Sequence, residues 1–185
     1  MDNTTQGMML FTERSLWTMA HGIVLGGGAL LALAAALFTL YLLRPAHGQA
    51  TLTVAHARAI ALLTVVIAAA TWLTTLIGTY AVFPPYRAAP PEGAVTLALY
   101  PRSLILSNPQ TAWLHSFAME TKEHLPWIAA MLATAAAFTA WRHRATLLHD
   151  VDLRRIVVSI LAICFVIVAY VSLLGVFVNK VAPLE

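Results

Sequence analysis

Four stretches of this chain stay apolar for long enough to cross a lipid bilayer, and that pattern limits its possible folds more than any other feature. A helix needs about 20 mainly apolar residues to cross a hydrocarbon core about 30 Å thick, because each residue rises about 1.5 Å. The stretches fall at about 16–43, 57–83, 125–141 and 156–178, and the third has an approach that begins near residue 111. In hydrocarbon every backbone N–H and C=O must find its partner within the protein, so each stretch is expected to be α-helix. Residues 1–185 then form one integral membrane domain, an all-α bundle of four transmembrane helices. Composition agrees, with 60% of residues hydrophobic, 10% charged and a mean hydropathy of +0.78. A soluble domain carries about 25% charged residues. A globule of this size cannot bury so much apolar surface.

The links between stretches suggest an orientation. Arg44-Pro45 ends the first stretch, and Pro84-Pro85 is expected to end the second. A short link with Arg44, His47 and Arg58 joins the first pair, and one with Arg142, Arg144, Arg154 and Arg155 joins the last pair. The link between the second and third helices is long and holds Pro84, Pro85, Pro90, Pro91, Pro101 and Pro109, so an irregular outer loop over the bundle mouth is expected. Lys and Arg collect on the cytoplasmic side. The short links are therefore expected inside, with the proline-rich loop and both termini outward. Aromatic residues mark the same borders, with Trp17, Phe83, Tyr86, Trp113 and Trp127 outside and Tyr41 and Trp141 inside. Met1–Phe11 lacks the basic start and short apolar core of a secretory signal. Alanine-rich spans without targeting signals point to a bacterial cytoplasmic membrane.

Several function classes fall away. The net charge of +3 and pI near 9.4 do not imply nucleic acid, because the 11 basic residues are scattered at helix ends. Cys164 is the only cysteine, so an intrachain disulfide and a CxxC motif are both absent, and it is read as a small packed hydrophobe. Gly26-Gly27-Gly28 lies inside a span, where it cannot cradle phosphate.

Ionisable residues within spans mark function by default. His21 lies inside the first span and is followed by Gly22, Gly26, Gly27 and Gly28. Each glycine lowers helix propensity by about 1 kcal/mol relative to alanine. Such a run requires the close approach of another helix or of a flat cofactor. The segment 113–127 supplies His115, Glu120, Lys122, Glu123 and His124 ahead of Pro126. Glu120 and His124 share a helix face at their spacing. These residues permit a b-type haem with His21 and His124 as axial ligands, Gly28 beside the ring and His115 in reserve. They equally permit interfacial histidines and a solvated charged collar. Without a porphyrin, Glu120, Glu123, His115 and His124 would suit iron, manganese or zinc, but the paired Glu-x-x-His pattern is absent. In the second span Thr64, Thr71, Thr75 and Gly78 form a stripe read as packing residues with hydroxyls bonded to their own backbone. Tyr80, Tyr86 and Arg87, with Glu120 and Glu123, offer a quinone or partner site at the mouth.

On His21, His124 and the four-span layout, the chain resembles the four-helix membrane cytochromes b. The resemblance covers architecture, and the second histidine pair of the di-haem members is missing. It implies a subunit of a respiratory or electron-transfer complex that holds haem b near the outer face. Such a subunit relays electrons between quinone and a partner, another subunit or a periplasmic electron-transfer protein. The alternative is a cofactor-free structural or assembly subunit of a larger membrane complex; a small carrier or channel component is a third expectation.

Overall fold

The computed structural model describes residues 12–42 and 54–183, and no strand occurs among them. Helix α1 spans Glu13–Tyr41, α2 Val54–Arg87, α3 Pro101–Leu106, α4 Glu120–Arg142 and α5 Val151–Val181. The Arg44-Pro45 stop, His47 and Met1–Phe11 lie outside the described residues.

Capping explains two of the helix starts. The Thr12 hydroxyl accepts the Ser15 N–H at 3.2 Å, which fixes the first turn of α1. The Asp150 carboxylate accepts the Asp152 and Leu153 N–H groups, each at 2.9 Å, so α5 begins ahead of the apolar run that starts near 156. The expected stop at Pro84-Pro85 is corrected, because α2 continues through both prolines to Arg87. A wider π turn over Gly78–Val82 comes first, and the prolines then occupy the opening turn of Phe83–Arg87. There their missing N–H groups cost little.

Helices α1, α2 and α5 are long and apolar enough to cross a membrane. The chain is accordingly a multi-pass helical protein suited to lipid. Helix α4 differs in composition, since Glu120, Lys122, Glu123 and His124 crowd its first turns and its apolar run begins at Leu125. It continues through Pro126 rather than starting there.

The long helices pack in a closed ring, α1 on α2, α2 on α4, α4 on α5 and α5 on α1. Alternation in direction follows from the contacts. Trp72 of α2 donates its indole N–H to Thr134 of α4 at 2.9 Å and meets Trp127 edge to face at 5.8 Å. Cys164 of α5 lies against α4, its thiol donating to the Ala129 carbonyl at 3.5 Å, which matches its expected packing role. The inward face of α4 is almost wholly alanine, with Ala129, Ala130, Ala133, Ala136, Ala137 and Ala140 all buried. Small side chains let helix backbones approach closely, which matters where lipid tails are as apolar as leucine. Opposite them, Leu33, Ile67, Val157 and Leu161 fill the core. Beyond α2, the link folds back so that Ile105 of α3 is buried with Tyr86, Leu114, Leu174 and Val178.

Alanine at this face sets a sharp expectation. Ala133→Leu should lower stability by about 1–3 kcal/mol through overpacking, whereas Ala135→Leu, on the exposed face, should change it little. Thermal unfolding in detergent micelles distinguishes the two.

Candidate functional site

The polar side chains that matter gather at the end of the ring where α1 begins and α5 ends. Residues Ala20–Gly26 of α1 form a π turn. Single π turns interrupt helices at functional sites more often than elsewhere. Here the turn brings His21 against α2. The His21 Nδ1–H donates to the Thr74 carbonyl at 2.8 Å, and the Thr74 hydroxyl donates to the His21 carbonyl at 2.9 Å. This reciprocal pair fixes the ring and, in neutral imidazole, leaves Nε2 as an acceptor. The ring lies so close to Gly78 that a Cβ there would meet His21 Cε1 at 2.6 Å. Glycine at 78 is therefore the space that His21 occupies.

Lys122 crosses from α4 to α5. Its Nζ donates to the Val171 carbonyl at 3.0 Å, and a Cβ on Gly175 would sit 2.9 Å from that nitrogen. The side chain keeps some exposure along its length, but the ammonium is largely removed from water. It also lies within electrostatic reach of His21. Neither group's hydrogen bonds involve a carboxylate. Pro126, four residues on, has no N–H for the Lys122 carbonyl, so the helix is locally loosened where the lysine leaves it.

A second layer caps the first. Tyr86 is buried, stacks on Phe83 at 6.0 Å and meets His115. Arg102 Nε–H donates to His115 Nε2 at 3.3 Å, so the neutral ring carries its proton on Nδ1 and donates it to the Tyr86 hydroxyl at 3.1 Å. The charges of Arg102, Glu123 and Glu120 all act on that phenol. Arg87 lies over the Phe83 ring at 5.3 Å, and Tyr80 is exposed.

The residues singled out from sequence are thus only partly brought together. His124 is exposed, on the same face of α4 as Ile128, Met131 and Phe138, and its Nδ1–H donates to the Glu120 carbonyl at 2.7 Å. His21 instead faces α2. A haem held between these two rings within one chain does not fit, because it requires imidazoles that face each other. His115 has both ring nitrogens engaged, and Gly28 has nothing within 4 Å of where its Cβ would be. Of Gly26, Gly27 and Gly28 only Gly26 lies in the π turn, and only its Cβ would come near α2, 3.9 Å from the Thr74 hydroxyl. Among the described residues no three His, Cys, Asp or Glu side chains converge to hold a metal ion. The threonine stripe matches its reading, with Thr64, Thr71 and Thr75 donating to carbonyls of their own helix.

Sequence reasoning missed Thr74, Arg102 and the inward course of Lys122. A signal for the last was present, since Lys122 stands at heptad spacing from Ala129 and Ala136 on the alanine face. Comparison of the chain with protein families, with characterised proteins and with solved structures finds no match.

What the arrangement offers chemically is an ammonium with hydrogens to spare, beside an imidazole that accepts at Nε2, in a low-dielectric setting. The ammonium can donate to a carbonyl oxygen or an anion, and the imidazole Nε2 can accept from a hydroxyl. Three glycine substitutions test the packing. Gly78→Ala should cost about 1–3 kcal/mol by displacing a hydrogen-bonded ring. Gly175→Ala should cost less, because the flexible end of Lys122 can move. Gly28→Ala should be neutral or stabilising by up to about 1 kcal/mol from helix propensity. Unfolding midpoints of the three variants in one detergent give the ranking.

Proposed function

We propose that this chain is a quinone-interacting membrane subunit of an electron-transfer complex, with α4 serving as a fourth transmembrane helix. The observation that carries the reading is the Lys122 ammonium, enclosed between α4 and α5 within reach of His21 and bonded to a backbone carbonyl. An intramembrane charge is expensive to keep, and such residues mark substrate and proton pathways. A quinone carbonyl takes a hydrogen bond from the Lys122 ammonium, and the hydroxyl of its reduced form donates to His21 Nε2. Glu120, Glu123 and the Tyr86–His115 pair lie between this layer and the aqueous border, where released protons leave. His21 is half-buried and Tyr80 is exposed, so a headgroup would reach the pair laterally from the bilayer. Electrons pass to a redox centre in a partner subunit or an extracytoplasmic protein. The ends of α1 and α5 that carry Glu13 and Val181 then face outward, and the Arg142–Arg144 turn faces the cytoplasm of a bacterial inner membrane.

A cofactor-free structural subunit is the second reading. The fit of His21 onto Gly78 and of Lys122 onto Gly175 favours it, because both side chains already fill the space those glycines leave.

Photolabelling separates the two. With protein in nanodiscs and a photoreactive ubiquinone analogue, the quinone reading expects saturable labelling of peptides that contain His21 and Lys122. Lys122→Met should weaken it roughly tenfold or more, because a hydrogen bond to a charged group contributes about 1.5–3 kcal/mol. Labelling that excess unlabelled quinone does not suppress, or that Lys122→Met leaves unchanged in a folded protein, would overturn it in favour of the structural subunit.

A further inference from the structure

At the opposite end of the ring, the chain leaves α4 through a turn that is basic, exposed and concave. Trp141, Arg142, His143, Arg144, Ala145 and Thr146 line a cavity of about 430 Å³, and no carboxylate lines it. The nearby acids are committed elsewhere. Asp150 caps α5, and Asp152 pairs with Arg155 at 2.9 Å. The positive charge of the turn is therefore uncompensated by the adjoining start of α5. Arg144 lies over the Trp141 ring at 6.0 Å, which sets a guanidinium at the level where an interfacial indole sits. Directly below, along one face of α4, Trp141, Phe138 and Met131 are all exposed. They form an apolar track that leads from the cavity toward the middle of the helix.

We propose that this turn binds the phosphate of an anionic phospholipid, with one acyl chain lying along Trp141, Phe138 and Met131. Three features meet at one place. Consecutive Arg142, His143 and Arg144 supply donors for phosphate oxygens, and arginine matches phosphate geometry through paired N–H bonds. The cavity admits a small headgroup such as phosphoglycerol. The apolar track begins at the rim of that cavity, so headgroup and chain are read by one continuous surface. Basic pockets at the membrane border are the usual means by which helical membrane proteins hold anionic lipids. The site is separate from His21 and Lys122 and does not depend on what binds there, but it rests on the proposed placement of α4 in the bilayer.

Native mass spectrometry of the purified full chain tests this, with phosphatidylglycerol and phosphatidylcholine offered in equal amounts. The expected result is retained phosphatidylglycerol in clear preference, with retention reduced on the order of 20-fold in the Arg142→Gln, Arg144→Gln double variant. Phe138→Ser should lower retention of both lipids without changing the preference, since it disturbs only the track. Circular dichroism and the unfolding midpoint verify that the variants fold. Equal retention of the two lipids, or a double variant that folds and still prefers phosphatidylglycerol, would overturn the proposal. Displacement of the lipid by millimolar inorganic phosphate would also overturn it, assigning the turn to a free anion instead.

Discussion

The fit of the alanine face of α4 between α2 and α5 is the contact on which the rest of the structure depends. Each of Ala129, Ala130, Ala133, Ala136 and Ala140 is 0–1% exposed. No larger side chain would let three helix backbones come so near. For a helix placed in lipid, such closeness has to carry the association, because burying a leucine against another helix gains little over burying it in acyl chains. Dispersion, accumulated over many short contacts, then supplies the attraction. The hydrogen bond from Trp72 to Thr134 and the one from Cys164 to Ala129 fasten the same helix to its two neighbours. The closed ring is the consequence, since α1 bridges α2 and α5 on the far side.

That same closeness determines where polar groups can exist. Within the alanine zone the only buried hydroxyls among the described residues, on Thr64 and Thr71, are satisfied by their own helix. Toward the Glu120 end the packing opens at two glycines, and each opening is filled by a titratable side chain from a neighbouring helix. His21 fills the space at Gly78, and Lys122 the space at Gly175. Both groups rest on backbone carbonyls rather than on carboxylates. The Lys122 ammonium held in this way keeps N–H groups for another acceptor, while His21 Nε2 keeps a lone pair for a donor. The outer layer of Tyr86, His115 and Arg102 closes over it and ties α3 and its link to the helix ends.

Much of the architecture was legible in the sequence because lipid imposes a simple rule of length and apolarity. The stretches at 16–43, 57–83 and 156–178 correspond to α1, α2 and α5, with ends moved by capping and by the π turn that lets α2 pass Pro84-Pro85. The site was less legible, for physical reasons. Depth along a helix can be counted from residue numbers, and that placed His21 and His124 at matching levels. Facing direction depends on small departures from regular α-helix, and the chain has π turns beside both, at Ala20–Gly26 and Leu114–Met119. Each such turn rotates the helical residues beyond it. His21 consequently meets Thr74, while His124 lies on the outward stripe with Ile128 and Met131. The role of Lys122 was hidden among the charges of 120–124, although its register with the alanines distinguishes it from Glu120 and His124.

Whether α4 lies in the bilayer beside the other helices is the question that decides most. Spin labels placed one at a time from position 124 to 141, in a Cys164→Ala background reconstituted in lipid, measure this directly through relaxation by oxygen and by a water-soluble nickel complex. The account predicts that oxygen contact peaks at 128, 131, 135 and 138, falls at the buried alanines between them, and that nickel contact stays low across that whole interval. High nickel contact at 131, 135 and 138 would place this face of α4 in water and contradict a fourth membrane-spanning helix.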